Sequence, residues 1–301
     1  MIERELALPD MLATPPGCVR SWMSPTGLCQ PRRGQERLLS AVARLARAVL
    51  VVWLVTASVC GCSASVDLAA ERHARAVKAL INLGAEVRDV EDEVSHERGT
   101  FVYLFPEHFT HEGYLEPNVL NLVRDIRTCF LGLNNSPVKD DGLTELSRLL
   151  ELRVVDLTNT RVTDRGLALL AKSRNIWLLN LNSTRISDDG LECLANMPSL
   201  RLLYLGDTSL SNAGLKHLEK LPQLEAVKLT RLSVTDDGLT SLAVLPRLRY
   251  LGLDGTLVTD TGLEHFDKLP NLIRLDVEDS AVTETAAESF RRRHPKCHVL
   301  R

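Results

Sequence analysis

The stretch Val162-Thr163-Asp164-Arg165-Gly166-Leu167 decides the fold, because versions of it return at a fixed spacing through the second half of the chain. Successive glycines of this series lie 24 residues apart and each is followed by leucine: Gly142, Gly166, Gly190, Gly214, Gly238 and Gly262. A further copy has Ala286 and Ala287 at these two places. A strict period of this length predicts a solenoid, in which each unit packs mainly against the units before and after it.

Residues aligned on this glycine series fall into apolar columns. The first column holds Leu131, Val155, Leu179, Leu203, Val227, Leu251 and Leu275. The second, two places later, holds Leu133, Leu157, Leu181, Leu205, Leu229, Leu253 and Val277. Alternation of this kind predicts one short strand per repeat with one face turned inward. Leu167 and Leu170, three residues apart, predict a helix that also turns its apolar side inward. Gly166 either permits close approach to the neighbouring repeat or is a simple turn residue.

Polar residues stand at the predicted start of each helix. Thr163 or Asp164 can cap the helix, and an acidic residue in the first turn suits the helix dipole. Aspartate pairs recur here in alternate repeats, at Asp140-Asp141, Asp188-Asp189 and Asp236-Asp237. Paired carboxylates can serve acid–base chemistry or bind metal, but helix capping accounts for these pairs. The sequence contains no nucleophile–histidine–acid set and no phosphate-binding glycine loop. We therefore expect no enzymatic activity, no cofactor and no metal site.

The consensus L-x-x-L-x-L-x-x-T-x-V resembles that of leucine-rich repeats, with threonine where many members have asparagine. The V-T-D-x-G-L continuation and the closing segment His294–Val299 resemble a class of bacterial leucine-rich-repeat proteins. This resemblance implies an α/β fold: a right-handed leucine-rich-repeat solenoid with 24-residue repeats over residues 129–301. Parallel strands would form its concave face and short helices its convex face. The resemblance also implies a protein-binding scaffold.

Residues 67–128 are predicted to form an N-terminal α/β cap, because a solenoid cannot leave its first leucine layer open to water. Within the cap the pattern predicts a helix over 71–83, a solvated surface turn over the acidic stretch 86–97, a strand over 101–105 and a helix that opens at Pro117.

The composition of the N-terminal part of the chain predicts a targeting region. Residues 1–47 contain proline turn signals and no sustained periodicity, and we expect them to be disordered. Residues 48–66 follow Arg44 and Arg47 and form an uncharged run of 19 residues. This order of basic, apolar and small residues predicts a secretory signal peptide. The length of the run also fits a retained single-pass membrane anchor.

Two cysteines at the end of this run bear on how the protein is anchored. Val59-Cys60-Gly61-Cys62 resembles a bacterial lipobox, in which a small residue precedes a lipid-modified cysteine. The resemblance implies acylation of Cys62, and an ordinary signal peptide cleaved near Ala64 or Ser65 is the alternative. We expect an exported protein that is held at the cell envelope through its N-terminal segment or is secreted.

The charge balance of the repeats indicates the class of partner. Residues 139–301 carry 22 basic and 23 acidic residues, which argues against a nucleic-acid-binding face. We expect a protein partner on the concave strand face. The first outward-facing column there is largely apolar: Phe130, Val154, Leu178, Leu202, Ala226, Tyr250 and Arg274. It is either an exposed binding stripe or a partly buried extension of the core. The predicted partner contacts are Leu178, Leu202, Tyr204, Lys228, Tyr250 and Arg274, since aromatic residues tend to carry interface energy.

Two further hypotheses differ in class from an exported scaffold. The G-L-x-x-L-A pattern also resembles the leucine-rich repeats of F-box proteins, which implies a substrate adaptor of a ubiquitin ligase. The export-like segment and the lack of a recognisable F-box before the repeats count against this hypothesis. An enzyme has no sequence feature in its favour, whereas a single-pass membrane-anchored recognition protein remains an alternative to a lipoprotein.

Overall fold

The computed structural model describes residues 63–91, 98–126 and 130–301. The predicted disordered tail, the predicted lipid-attachment residue Cys62 and most of the predicted signal segment lie outside these residues. Among the described residues, no helix combines the length and the apolar character needed to span a membrane.

The chain divides into two units, residues 1–75 and 76–301. The described part of the first unit belongs to helix α1, Ser63–Asn82, which begins earlier than the helix predicted over 71–83. After α1, Gly84 adopts a φ of +93°, a left-handed conformation that costs glycine little because it has no Cβ.

The acidic stretch that follows corrects one sequence prediction. Strand β1, Glu86–Glu91, pairs antiparallel with strand β2, Arg98–Tyr103, so the expected surface turn over 86–97 is wrong in its first part. Alternation explains the strand, because Val87 packs against the core while the next residue, Arg88, is exposed.

The helix predicted at Pro117 is present as α2, Pro117–Asp125. Proline suits this first helical position because its missing N–H would have no partner within the helix. Val119 and Val123 lie on the buried side of α2 and join the hydrophobic core.

Each later repeat contributes a strand of three residues. These strands are β3 Phe130–Gly132, β4 Val154–Asp156, β5 Leu178–Asn180, β6 Leu202–Tyr204, β7 Ala226–Lys228, β8 Tyr250–Gly252 and β9 Arg274–Asp276. The last strand is β10, His298–Leu300. The ten strands form one sheet in chain order, and every neighbouring pair from β2 to β10 is parallel.

Short helices connect these strands. The α-helices are α3 Leu143–Leu146, α4 Asp164–Leu170, α5 Asp188–Leu191, α6 Asn212–Leu215, α7 Asp236–Leu242 and α8 Glu284–Arg293. Turns of 3₁₀ helix cover Pro106–His108, Asp140–Gly142, Glu192–Asn196, Lys216–Lys220 and Asp260–Lys268.

The core lies between the sheet and these helices and is built mainly of leucine. Both predicted apolar columns are buried, with no member more than 1% exposed. Strand residues from β3 to β9 pair with the residue 24 positions later, as Val155 does with Leu179. Parallel three-residue strands, short helices and stacked leucine layers together give the arrangement of a leucine-rich-repeat solenoid.

The threonine column satisfies backbone groups at the end of each strand. Thr160 Oγ1 donates a hydrogen bond of 2.7 Å to the carbonyl of Leu157, three residues earlier. The same bond is made by Thr184, Thr208, Thr256 and Ser280. A buried carbonyl without a partner would cost about 1–3 kcal/mol, so a hydroxyl at this position stabilises the turn.

The helix starts are joined from repeat to repeat by side-chain hydrogen bonds. Asp164 accepts from the backbone N–H of Ser187 at 2.8 Å and from its Oγ at 2.6 Å. Equivalent pairs are Asp140 with Thr163, Asp188 with Ser211, Asn212 with Thr235, Asp236 with Thr259 and Asp260 with Thr283. The prediction that Thr163 caps its own helix is therefore wrong, because its hydroxyl bonds to the preceding repeat.

The repeated glycine makes room for this bond. A Cβ added to Gly190 would overlap the Oδ1 atom of Asp164. The same overlap would occur between Gly166 and Asp140, Gly214 and Asp188, Gly238 and Asn212, and Gly262 and Asp236. Of the two alternatives for Gly166, the close approach is confirmed, and the group that approaches is the carboxylate or amide of the preceding repeat.

A double-mutant cycle tests this arrangement. Gly190→Ala should destabilise the chain by about 1–3 kcal/mol because the new methyl group displaces the Asp164 carboxylate. Asp164→Ala should cost a similar amount through the two bonds lost to Ser187. In the Asp164→Ala background, Gly190→Ala should cost at least about 1 kcal/mol less, as measured by urea unfolding. Additive effects would contradict the arrangement.

Candidate functional site: the strand face

The strand face is the side of the sheet that carries the first and third residues of each repeat strand, and it corresponds to the predicted concave face. Alternation along a strand turns these residues away from the leucine core. The apolar row consists of Phe101, Phe130, Val154, Leu178, Leu202, Ala226, Tyr250 and Arg274. The polar row consists of Tyr103, Gly132, Asp156, Asn180, Tyr204, Lys228, Gly252 and Asp276.

The apolar row is buried over most of its length. Leu178 is 1% exposed, and Leu202 and Tyr250 are also buried. At the start of the row, the rings of Phe101 and Phe130 stack with their centroids 6.1 Å apart. Of the two alternatives that the sequence left open, burial agrees with a partly buried extension of the core.

The predicted contact residues therefore fall into two groups. Leu178, Leu202, Tyr204 and Tyr250 are buried, whereas Lys228 and Arg274 are partly exposed. A partner role for these residues stays a prediction. The two cations are the members of the set that present charge and accessible surface.

Near β9 the strand face holds a satisfied buried carboxylate. Asp276 is 5% exposed and accepts from the Tyr250 hydroxyl at 3.0 Å and from Arg274 Nε at 2.9 Å. The Arg274 guanidinium also lies 5.5 Å from the centroid of the Tyr250 ring. Burial, followed by the charge of Asp276, raises the pKa of Tyr250. Gly252 leaves space for this arrangement, since a Cβ there would lie 3.0 Å from the Tyr250 hydroxyl.

A similar group occurs near β4, but its carboxylate is only half satisfied. The Tyr103 ring lies over Gly132, where an added Cβ would be 2.8 Å from the ring. The ring points its hydroxyl towards Asp156, which is 1% exposed. Asp156 Oδ1 accepts from the N–H and the hydroxyl of Thr158, at 3.0 and 2.6 Å.

The second oxygen of Asp156 has no such bonds. Its Oδ2 atom is buried without a hydrogen-bond partner. The Tyr103 hydroxyl is close enough to the carboxylate to lower the pKa of Asp156 in part. Val154 occupies the place that Arg274 has beside Asp276. Burial is the main cause that raises the pKa of Asp156, and the bonds from Thr158 lower it in part.

Sequence reasoning named the half-exposed cations but missed Tyr103, Asp156 and Asp276. The available signal was the pair Gly132 and Gly252, which break a row of larger residues at strand positions where glycine is unfavourable. Gly132 accommodates Tyr103, which reaches Asp156 two strands away, and Gly252 accommodates Tyr250, which reaches Asp276 on the adjacent strand.

The edge where strands β7, β8 and β9 begin carries an open pocket of about 440 Å³, which Arg247, Arg249, Lys296 and Glu225 help to line. Glu225 forms an ion pair with Arg201 at 3.4 Å, so positive and negative groups alternate along this edge. No cluster of metal-ligating side chains occurs in the part of the chain that the structure describes.

No protein-family model matches the sequence, and no curated protein matches it significantly. A solved internalin from Listeria monocytogenes is similar at 19% identity with a TM-score of 0.44, over 63% of this chain and 58% of that one. The chain thus matches less than two thirds of the internalin's length. The fold assignment depends on the strand pairing and burial described above.

The half-satisfied carboxylate should be visible in the pH dependence of stability. A carboxyl whose pKa is raised by folding favours the folded state below its unfolded pKa of about 3.9, and this contribution is lost as pH rises through the folded pKa. As pH rises from about 4 to about 7, the free energy of unfolding of the wild type should therefore fall relative to that of Asp156→Asn. Urea unfolding across this range measures the difference. Asp189→Asn, an exposed carboxylate elsewhere, is the charge-matched control and should run parallel to the wild type.

Proposed function

We propose that this chain is a non-enzymatic protein-binding scaffold of the bacterial V-T-D-x-G-L class of leucine-rich-repeat proteins. In this proposal residues 129–301 form a right-handed solenoid of 24-residue repeats, closed at its start by an α/β cap. The regular parallel strand pairing supports this, because crossover connections between parallel strands are almost always right-handed.

The observation that carries the proposal is the pair of buried carboxylates on the strand face. Asp156 and Asp276 lie outside the leucine core, on the side of the sheet opposite to it. Burial of a carboxylate costs several kcal/mol unless it is well paired, and apolar residues at such sites are often as stable or more stable. Asp276 is well paired, but Asp156 has an oxygen without a hydrogen-bond partner, so stability alone does not account for Asp156 and we assign it a role in recognition.

The accessible groups around them suit a polypeptide partner. Lys228 stands partly exposed between the two tyrosine–aspartate groups, and Arg274 lies beside the second. Polar residues two positions after a member of the polar row are also partly or fully exposed. They offer hydroxyl, amide and carboxylate groups: Asn134, Thr158, Asn182, Thr230, Asp254 and Glu278. Mixed polar groups of this kind are typical of the rim of a protein interface.

Export to the cell envelope is the second part of the proposal, and the order of basic, apolar and small residues over 44–66 supports it. Sequencing of the N-terminus of the mature protein tests it, with acylated Cys62 or a start near Ala64 as the expected result. A cytosolic product that retains residues 1–47 would contradict export and would revive the F-box-like alternative.

Photo-crosslinking tests the position of the binding surface. A benzophenone amino acid placed at Lys228 should form a discrete covalent adduct with one cellular protein, because this position is partly exposed on the strand face. The control places the same group at Val244, which is 61% exposed and outside the strand face. Adducts from Val244 but none from Lys228, or equal adducts from both, would refute the proposed surface.

A further inference from the structure

We propose that Asp156 is the recognition point for a basic side chain, lysine or arginine, carried by a polypeptide segment that binds the strand face. This inference rests on the proposed function and adds the chemistry of the partner to it. The segment is expected to place its cation beside the Asp156 carboxylate and to run over the polar row.

The comparison between the two tyrosine–aspartate groups carries the argument. In both, a tyrosine lies against a glycine and brings its hydroxyl towards a buried aspartate. The Tyr103 ring contacts Gly132 of the next strand, whereas the hydroxyl end of Tyr250 lies by Gly252 of its own strand. Asp276 has a guanidinium of its own, because Arg274 donates to both of its oxygens at 2.9 and 3.1 Å. Asp156 has Val154 at the equivalent place and accepts at one oxygen only. Within one chain, the Asp276 group is complete, whereas the Asp156 group lacks a cation.

The missing component follows from the chemistry of the remaining oxygen. Asp156 Oδ2 is a buried acceptor without a hydrogen-bond partner, and such an oxygen calls for an N–H or O–H donor. A cationic donor gives the stronger bond and compensates the buried charge, as Arg274 does for Asp276. A divalent metal is a poor candidate, because no further ligating groups cluster there among the described residues.

The surroundings of Asp156 also indicate how a peptide could reach it. Tyr103 and Thr158 flank the carboxylate and are each partly exposed, whereas Asp156 itself is only 1% exposed. A basic side chain therefore has to move one of these two flanking side chains to reach Asp156. Asn180, on the next strand of the polar row, is 3% exposed, and its Oδ1 accepts from the backbone N–H of Asn182.

Peptide selection against the full chain tests this inference. A random linear peptide library displayed on phage is selected on the wild-type protein, and the enriched peptides are synthesised. We expect lysine or arginine at one constant position. Asp156→Asn should weaken binding of these peptides by at least about ten-fold, the size expected for loss of a close charge pair. Asp189→Asn, which removes one exposed carboxylate elsewhere, should change the affinity by less than about two-fold.

Matched peptides separate pairing from a general effect of charge. Norleucine for lysine, or citrulline for arginine, should weaken binding to the wild type and leave binding to Asp156→Asn unchanged. Thermal melting must show that Asp156→Asn is folded, and Tyr103→Phe, which keeps the carboxylate, should retain the preference for a basic residue. No enriched peptides, peptides without a constant basic residue, or equal losses in both aspartate variants would overturn the inference. If peptides bind without a basic residue but compete with the Lys228 crosslink, the proposed function stands and the Asp156 inference fails.

Discussion

The structure depends on one hydrogen-bonded contact between neighbouring repeats. An aspartate or asparagine at the start of one helix accepts from the backbone N–H of a threonine or serine 23 residues later, and in most repeats also from its hydroxyl. The glycine of the V-T-D-x-G-L stretch is required because any Cβ would occupy the position of this aspartate or asparagine side chain. The contact sets the spacing of the helices on one side of the core, while strand pairing sets it on the other.

The strand face follows a different rule from the core. Core columns tolerate leucine or valine and little else, because each layer packs directly on the next. The polar row varies from strand to strand and includes two glycines that make space for tyrosine rings. A chain that places buried carboxylates outside its core gives up stability there, and this cost is common at binding sites. The chemistry that is specific to this protein is thus concentrated in the polar row.

Periodicity predicted the leucine columns, the strand positions and the close approach at Gly166, because each depends on spacing alone. It could not predict from which donors an aspartate accepts: Asp164 has the right place to cap its own helix, yet it accepts from the N–H and the hydroxyl of Ser187 in the next repeat. The strand Glu86–Glu91 was missed because its charges obscured the alternation. The Asp156 site was missed because Tyr103, Gly132 and Asp156 come together only through pairing of three strands.

Hydrogen exchange of the backbone amides that donate to these aspartates tests the central claim most directly. The amide of Ser187, bound to Asp164, and that of Ser211, bound to Asp188, lie in the middle of the array. We predict that both exchange as slowly as the core strand amides, because they open only when neighbouring repeats separate. Exchange as fast as that of exposed turn amides would show that the bonds open locally, and would contradict the view that they hold the repeats together.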